Sequence, residues 1–156
     1  MSFRLALVAL LALTMAHPVG AQTADQKVLT LDGARTIAEA AIAEARRNSW
    51  NVAIAVVDAH GELVLFLKMN DVQQGSVDIA QAKARTAARM RRPTKALDDA
   101  ITGGRLALLG VDGITPLEGG VPILFEGKVI GAVGVSGVTS AQDAQIASAG
   151  VRAAFP

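Results

Sequence analysis

Lys83 is the first residue of chemical interest, because it lies on an apolar face of a predicted helix. At helical spacing, its neighbours on that face are Ile79, Ala82, Thr86 and Met90. Two interpretations of the lysine are open. Its aliphatic stem can pack while the ammonium reaches water, or the ammonium is held against a carboxylate or an anionic ligand, because a buried lysine without a partner is costly.

A run of six cations occupies thirteen residues of the same region, namely Lys83, Arg85, Arg89, Arg91, Arg92 and Lys95. Such a run is typical of a solvated helix face. It is also suited to carboxylates or phosphates, because guanidinium groups bind both in a bidentate manner. The candidate ligand-binding residues of this region are therefore Lys83, Arg85, Arg89, Arg92 and Lys95.

Metal-binding chemistry is restricted by composition. The chain has no cysteine, which excludes a thiolate nucleophile, an iron-sulfur cluster and a cysteine zinc site. His60 is the only histidine after residue 21, so a three-histidine metal site and an ordinary Ser-His-Asp triad lack support. Axial ligation of a haem iron needs a single residue, which leaves His60, Met69 and Met90 as candidate iron ligands.

The first half of the chain predicts a helix followed by a hairpin. Residues 30–48 place apolar side chains at three- and four-residue spacing, which indicates an amphipathic helix with Thr30 as its N-cap. Residues 52–57 are apolar throughout and predict a strand covered on both faces. Residues 62–69 form the second strand, across a turn that contains His60.

The middle of the chain predicts two helices. A helix that opens at Gly75 or Ser76 should end near Arg92, because Pro93 disfavours helical geometry in the residue before it. Thr94 is then expected to cap a second, short helix that reaches about Ile101.

The last third predicts a loop, a second hairpin and a final helix. Glycines punctuate residues 103–120, where we expect a helical turn around 106–109 and then a long loop of the kind that often carries function. Two strands, 121–125 and 129–135, precede a helix with a capping box at Thr139. The order of elements indicates an α/β (α+β) fold in which an antiparallel sheet has helices packed on its faces.

The N-terminal segment predicts export. Arg4 supplies a positive charge, residues 5–16 are almost entirely apolar, and Ala21 provides the small residue of a cleavage site before Gln22. About 12 apolar residues at about 1.5 Å each span about 18 Å, well short of the roughly 30 Å of a membrane core. We therefore expect residues 1–21 to be a signal peptide and no stable membrane anchor, with a periplasmic or extracellular mature protein.

Residues 22–156, the mature chain after cleavage, are expected to form one domain. The whole chain has a formal net charge of +1, and cleavage removes Arg4, which leaves zero. There is no tyrosine, and the remaining aromatic side chains are too few for the stacking surfaces that bind single strands. Nucleic acid is therefore not an expected partner.

Blocks of residues along the mature chain resemble the GlcG/HbpS family of haem-binding or haem-degrading-type domains. The first blocks are Val56-Val57-Asp58 with Gly61 and Leu63, Asp78-Ile79-Ala80, Lys83-Ala84, Thr86-Ala87 and Pro93-Thr94. The later blocks are Gly119-Gly120, Pro122, Gly127, Val129-Ile130-Gly131-Ala132, Gly134-Val135-Ser136-Gly137, Asp143, Ala147 and Ala149-Gly150. Together they run from about Leu31 to Phe155.

This resemblance implies a profilin-like sandwich that assembles into homo-oligomers. For some members it also implies an exported haem-binding role linked to redox sensing. It transfers no axial ligand to a position of this chain.

Two hypotheses for the function remain open. In the first, the protein binds haem or a related tetrapyrrole without catalysis, with the basic residues between Lys83 and Lys95 meeting the propionates. In the second, it is a small enzyme without a cofactor that acts by acid-base chemistry on a small organic acid. The candidate catalytic residues of that enzyme are Lys83, Asp58 and Glu118, beside a loop formed by Gly119 and Gly120.

Overall fold

The structure, a computed structural model, describes residues 24–155. The predicted signal peptide lies outside the described residues. Within them, four α-helices and four strands follow one another in the order α1 (Leu31–Arg47), β1 (Ala53–Asp58), β2 (Leu63–Lys68), α2 (Ser76–Met90), α3 (Lys95–Thr102), β3 (Gly120–Phe125), β4 (Lys128–Ser136) and α4 (Ser140–Ala154). A 3-10 helix, Leu106–Gly110, lies between α3 and β3. No helix among the described residues is long and apolar enough to cross a membrane.

The four strands form one antiparallel sheet in the order β2-β1-β4-β3. Its two central strands, β1 and β4, pair from Ala53 opposite Ser136 to Asp58 opposite Gly131. Each central strand also pairs with the strand next to it in the chain, so the sheet consists of two hairpins side by side. The predicted antiparallel α+β fold, with helices on the faces of the sheet, is confirmed.

The sheet separates two hydrophobic cores of different character. On one face, α1 and α4 pack over branched side chains that include Ile54, Val56 and Ile123. On the other face, α2 packs over small side chains that include Ala53 and Ala55. Because alternate residues of a strand point to opposite faces, β1 presents large residues to one layer of helices and small residues to the other.

Small residues bring α2 unusually close to the sheet. A Cβ atom at Gly134 of β4 would overlap the backbone carbonyl of Ala80 and the backbone nitrogen of Ala84. Glycine is therefore required there by the close approach of two backbones. Lys83, which lies between Ala80 and Ala84 on α2, is thereby held against the end of β4, where its Nζ atom contacts the Val135 carbonyl.

Most local predictions agree with these elements. Thr30 caps α1 by accepting a hydrogen bond from the Gly33 N–H, and Thr139 forms the expected capping box of α4. The expected turn at 106–109 is the 3-10 helix. Thr94 occupies the N-cap position of α3, but its side chain makes no capping hydrogen bond. That prediction was wrong because the hydroxyl accepts the Gly120 N–H instead, at 2.9 Å.

Candidate functional site

Lys83 is buried and paired with a carboxylate. Its Nζ atom donates to Oδ2 of Asp143 at 2.8 Å and to the Val135 carbonyl at 3.0 Å. Both members of the pair are only 2% exposed. Of the two interpretations left open by the sequence, the structure shows the ammonium held against a carboxylate.

Asp143 is the residue of this site that the sequence did not identify as a partner. It lies in the first turn of α4, where its Oδ1 also accepts the Val138 N–H at 3.3 Å. A signal was present, because Asp143 lies on the buried stripe of α4 with Ile146, Ala147 and Gly150. Lys83 interrupts the apolar stripe of α2 and Asp143 that of α4, and two opposite charges in such positions indicate an ion pair.

Burial raises the pKa of Asp143, because desolvation disfavours the carboxylate. The hydrogen bond and the positive charge of Lys83 oppose that rise, as do the hydrogen bonds from the backbone. The pair is thus a charged contact that each member needs, since either charge alone would be buried without compensation.

Gly119 and Gly120 close over this pair. A Cβ atom at Gly119 would lie 2.7 Å from the Lys83 Nζ atom and 2.9 Å from the Asp143 Cβ atom, and the residue has a φ of +125°. A Cβ atom at Gly120 would lie 2.7 Å from the Thr94 methyl carbon. Lys83, Gly119 and Gly120 therefore lie together. The absence of side chains at the two glycines allows this part of the backbone to pack directly against the lysine.

Glu118 precedes these glycines in a loop tied to the helices. The Glu118 N–H donates to the Asp98 carboxylate at 3.2 Å, and the Thr115 N–H donates to the buried Thr86 hydroxyl at 2.8 Å. The Glu118 side chain makes no hydrogen bond within residues 24–155. The loop thus holds Glu118 near α3.

Asp58 lies away from Lys83, at the turn of the first hairpin. Its Oδ1 accepts the backbone N–H groups of His60 and Glu62 at 2.8 and 2.9 Å. In the register of the sheet, Asp58 is opposite Gly131, four residues along β4 from the Val135 that contacts Lys83. At the rise of a strand this is about 13 Å. The structure does not bring Asp58 to the buried pair.

The basic residues of α2 and α3 are largely engaged with neighbours. The Arg89 guanidinium donates to the His60 carbonyl at 2.9 Å and to Glu62 at 3.2 Å. Lys95 pairs with Asp99 at 2.7 Å, and Arg92 Nε donates to the Met90 carbonyl at 3.2 Å. Arg85 and Arg89 both pack over the turn glycine Gly61. Arg89 therefore ties α2 to the first hairpin, whereas the contacts of Arg92 and Lys95 are local.

The three candidate iron ligands lie in different settings. His60 is exposed at the tip of the first hairpin, and Met90 is half-buried at the last residue of α2. Met69 is half-buried just after β2 and packs against the cores on both faces of the sheet. No group of three or more histidine, aspartate or glutamate side chains among the described residues could hold a metal ion.

Two surface cavities lie away from the buried pair. One, of about 240 Å³, is almost wholly apolar and is lined by Lys27, Val28, Leu29, Thr30, Gly33, Phe125, Ile130 and Phe155. The other, of about 410 Å³, is lined by Ile42, Arg46, Asn51, Leu67, Lys68, Met69 and Asn70. Met69 is the one candidate iron ligand that lines either of these two cavities.

Comparison with known proteins gives consistent matches over most of the chain. A family model described as "Haem degrading protein HbpS-like" matches residues 29–152. Protein GlcG of Escherichia coli strain K12 is 46% identical over 109 residues, which cover 70% of this chain and 81% of GlcG.

Two solved structures are also similar to this chain. A double mutant of Streptomyces reticuli HbpS superposes with a TM-score of 0.79 at 31% identity, over 88% of this chain and 96% of HbpS. A crystal structure described as the PduOC:Heme complex superposes with a TM-score of 0.74 at 29% identity, over 81% of this chain and 95% of PduOC.

Proposed function

The chain belongs to the HbpS-like family, and from this premise we propose that it is an exported protein that binds haem or a related tetrapyrrole. The observation that carries the proposal is the similarity to PduOC, a protein solved as a haem complex. That similarity extends over most of both chains, so the shared part is a whole domain rather than a local motif.

The donors of this chain fit such a ligand. A haem iron accepts histidine nitrogen or methionine sulfur, and Met69 places a thioether on the wall of a cavity whose volume of about 410 Å³ is that of a small-molecule site. Ile42 and Leu67 give the same cavity apolar walls, and Arg46 gives it a cation for a propionate. When bound, haem would supply redox and ligand-binding chemistry at its iron, and the protein would supply the donor and the apolar surroundings.

The acid-base enzyme has weaker support. Lys83 is sealed beneath Gly119 and bonded to Asp143, so its ammonium has no open side for a substrate. Asp58 is engaged with the hairpin turn and lies too far away to act with it. We therefore assign the buried pair to the framework of the domain and the ligand to a surface cavity.

Export is part of the proposal, and it rests on Arg4, the apolar run 5–16 and Ala21. Mass spectrometry of the protein from its producing cell should find an N-terminus near Gln22. A mature pool that retains Met1 would refute export while leaving haem binding untouched.

Titration of the purified protein with haem tests the ligand. We expect a saturable change in the Soret band at micromolar haem, together with quenching of Trp50, the only tryptophan. An unrelated protein of similar size serves as the control for adsorption. A Soret change that does not saturate, or that equals the change in the control protein, would overturn the haem-binding function.

A further inference from the structure

The cavity that contains Met69 is formed where α1 crosses the open end of the first hairpin. Ile42 and Arg46 are four residues apart on α1, so they lie on the same face of the helix. Leu67 and Met69 are two residues apart at the end of β2, which turns their side chains to a common face. The helix α1 and the end of β2 therefore each contribute one apolar residue and one residue with a binding group to the lining of this cavity.

Met69 is held firmly in this place. Its N–H donates to the Val52 carbonyl at 3.1 Å, which extends the hairpin pairing by one residue beyond β2. Its side chain packs against the cores on both faces of the sheet while remaining only half-buried. A methionine at the wall of an open cavity can offer its thioether to a haem iron without rearrangement of the backbone.

Arg46 adds a cation that is not used elsewhere. It is exposed, and its guanidinium makes no hydrogen bond or ion pair within the part of the chain that the structure describes. The next residue, Arg47, differs in this respect because it pairs with Glu44. Arg46 thus retains its full capacity to bind a carboxylate at the rim of the cavity.

We propose that this cavity is the tetrapyrrole site, with the Met69 sulfur as an iron ligand and Arg46 as the partner of a propionate. The inference rests on the haem-binding function proposed above and names its site. Ile42 and Leu67 would cover part of the ring, since apolar burial supplies most of the affinity of such a ligand. The basic run between Lys83 and Lys95 is not part of this site, because none of its residues lines the cavity.

Two ligands separate the role of the sulfur from that of the cation. Haem has an iron atom, whereas metal-free protoporphyrin IX has the same ring and propionates without it. Met69→Leu keeps the volume of the side chain and removes the sulfur, so it should lower haem affinity at least about tenfold, change the visible spectrum of the complex, and leave protoporphyrin binding nearly unchanged. The same change at Met90, the rival thioether, should leave both ligands unaffected.

Arg46→Gln should weaken both ligands, by up to about fivefold, because it removes one propionate contact at an exposed rim. It should also make binding less sensitive to salt. Arg47→Gln is the matched control, since it removes the same charge from the adjacent position of the same helix and should leave affinity and salt dependence unchanged.

The outcomes distinguish the site from the function. If the unaltered protein shows no saturable haem binding, the proposed function fails and the site fails with it. If the unaltered protein binds haem while Met69→Leu and Arg46→Gln bind it with the original spectrum and affinity, the site is wrong and the function stands. A spectral change in Met90→Leu instead of Met69→Leu would also overturn the site.

Discussion

At the scale of single residues, the contact between Lys83 and Asp143 dominates. Both side chains are almost completely buried and lie on different helices, with the Val135 carbonyl as a third member. A buried ion pair adds little net stability relative to apolar residues of the same shape. Loss of one member is a different matter, because the other charge is then left without compensation.

Separate removal of each charge should therefore be costly. Lys83→Met keeps the stem and removes the ammonium, and Asp143→Asn keeps the shape and removes the carboxylate. We expect each to lower the free energy of unfolding by about 3–5 kcal/mol, and the double variant to lose clearly less than the sum. Urea unfolding of all four proteins measures this coupling. Costs that simply add, within about 0.5 kcal/mol, would show that the two charges do not interact.

The pH dependence of Lys83→Met provides a second test at this scale. Without the ammonium, burial of Asp143 is opposed only by its backbone hydrogen bonds, so the pKa of the carboxyl in the folded protein lies further above its pKa in the unfolded chain. A carboxyl group with a raised folded pKa favours folding below the unfolded pKa, and that stability is lost as the pH rises through the folded pKa.

From about pH 4, the ordinary pKa of an aspartate in an unfolded chain, up to neutral pH, the variant should therefore lose more stability than the unaltered protein. Urea midpoints of both proteins across this range measure the difference. Parallel curves would contradict an unpaired buried carboxyl in the variant.

The sequence identified one half of this contact. The position of Lys83 among apolar residues is visible from helical spacing, and Gly119 and Gly120 are predicted as a loop beside the candidate catalytic residues. Asp143 interrupts the apolar stripe of α4, but that signal does not specify Lys83 as its partner, because the two residues are 60 apart and their meeting depends on how the helices are placed around the sheet. Asp58, the other candidate catalytic carboxylate besides Glu118, lies away from this contact, and its carboxylate serves a local turn.

At the scale of the elements, the packing of α2 on β4 is the feature most sensitive to change. Gly134 lies directly beneath the backbone of α2, where a Cβ atom would meet the Ala80 carbonyl. Gly134→Ala should therefore cost about 3 kcal/mol or more, at the upper end of what overpacking usually costs, because backbone atoms cannot turn aside as a side chain can.

Gly110→Ala is the matched control for that change. A Cβ atom at Gly110 meets nothing within 4 Å, so the stability of this variant should stay near that of the unaltered protein. Thermal or urea unfolding of the two variants gives the comparison. Equal stability of both would mean that α2 lies further from β4 than the structure places it.

Local signals were sufficient for the elements but not for their arrangement. Both hairpins, the capped helices and the 3-10 turn can be predicted from periodicity, glycines and capping residues. The pairing of β1 with β4 joins strands that are distant in sequence, and nothing in either strand specifies the other. The alternation of residue sizes along β1 did carry information, since Ile54 and Val56 belong to one core and Ala53 and Ala55 to the other.

At the scale of the whole molecule, the exposed apolar residues favour assembly. Leu106 and Leu109 of the 3-10 helix are 62% and 64% exposed, and Val111 just after it is 45% exposed. Large apolar side chains clustered at a surface are typical of an interface between proteins. The formal net charge of the whole chain is only +1, and it would be zero for the proposed mature chain, so self-repulsion between copies would be weak.

We therefore expect a homo-oligomer. Light scattering should give a mass several times that of the subunit, and Leu109→Glu should lower it by adding a charge to the patch. Ala107→Glu, on the same 3-10 helix but with a small side chain, tests whether the leucine or the added charge is responsible. A monomer at micromolar concentration would contradict the expectation.

The ion pair between α2 and α4 also has a consequence for the order in which the molecule assembles. Lys83 and Asp143 belong to helices on opposite faces of the sheet, and they meet only after both helices have docked and the Gly119 loop has closed. Contacts of such long sequence separation carry a high loop-closure cost and are expected late on the folding pathway. The stabilisation from the Lys83–Asp143 contact is then largely absent from the folding transition state. The contact should therefore slow unfolding and have little effect on the rate of folding.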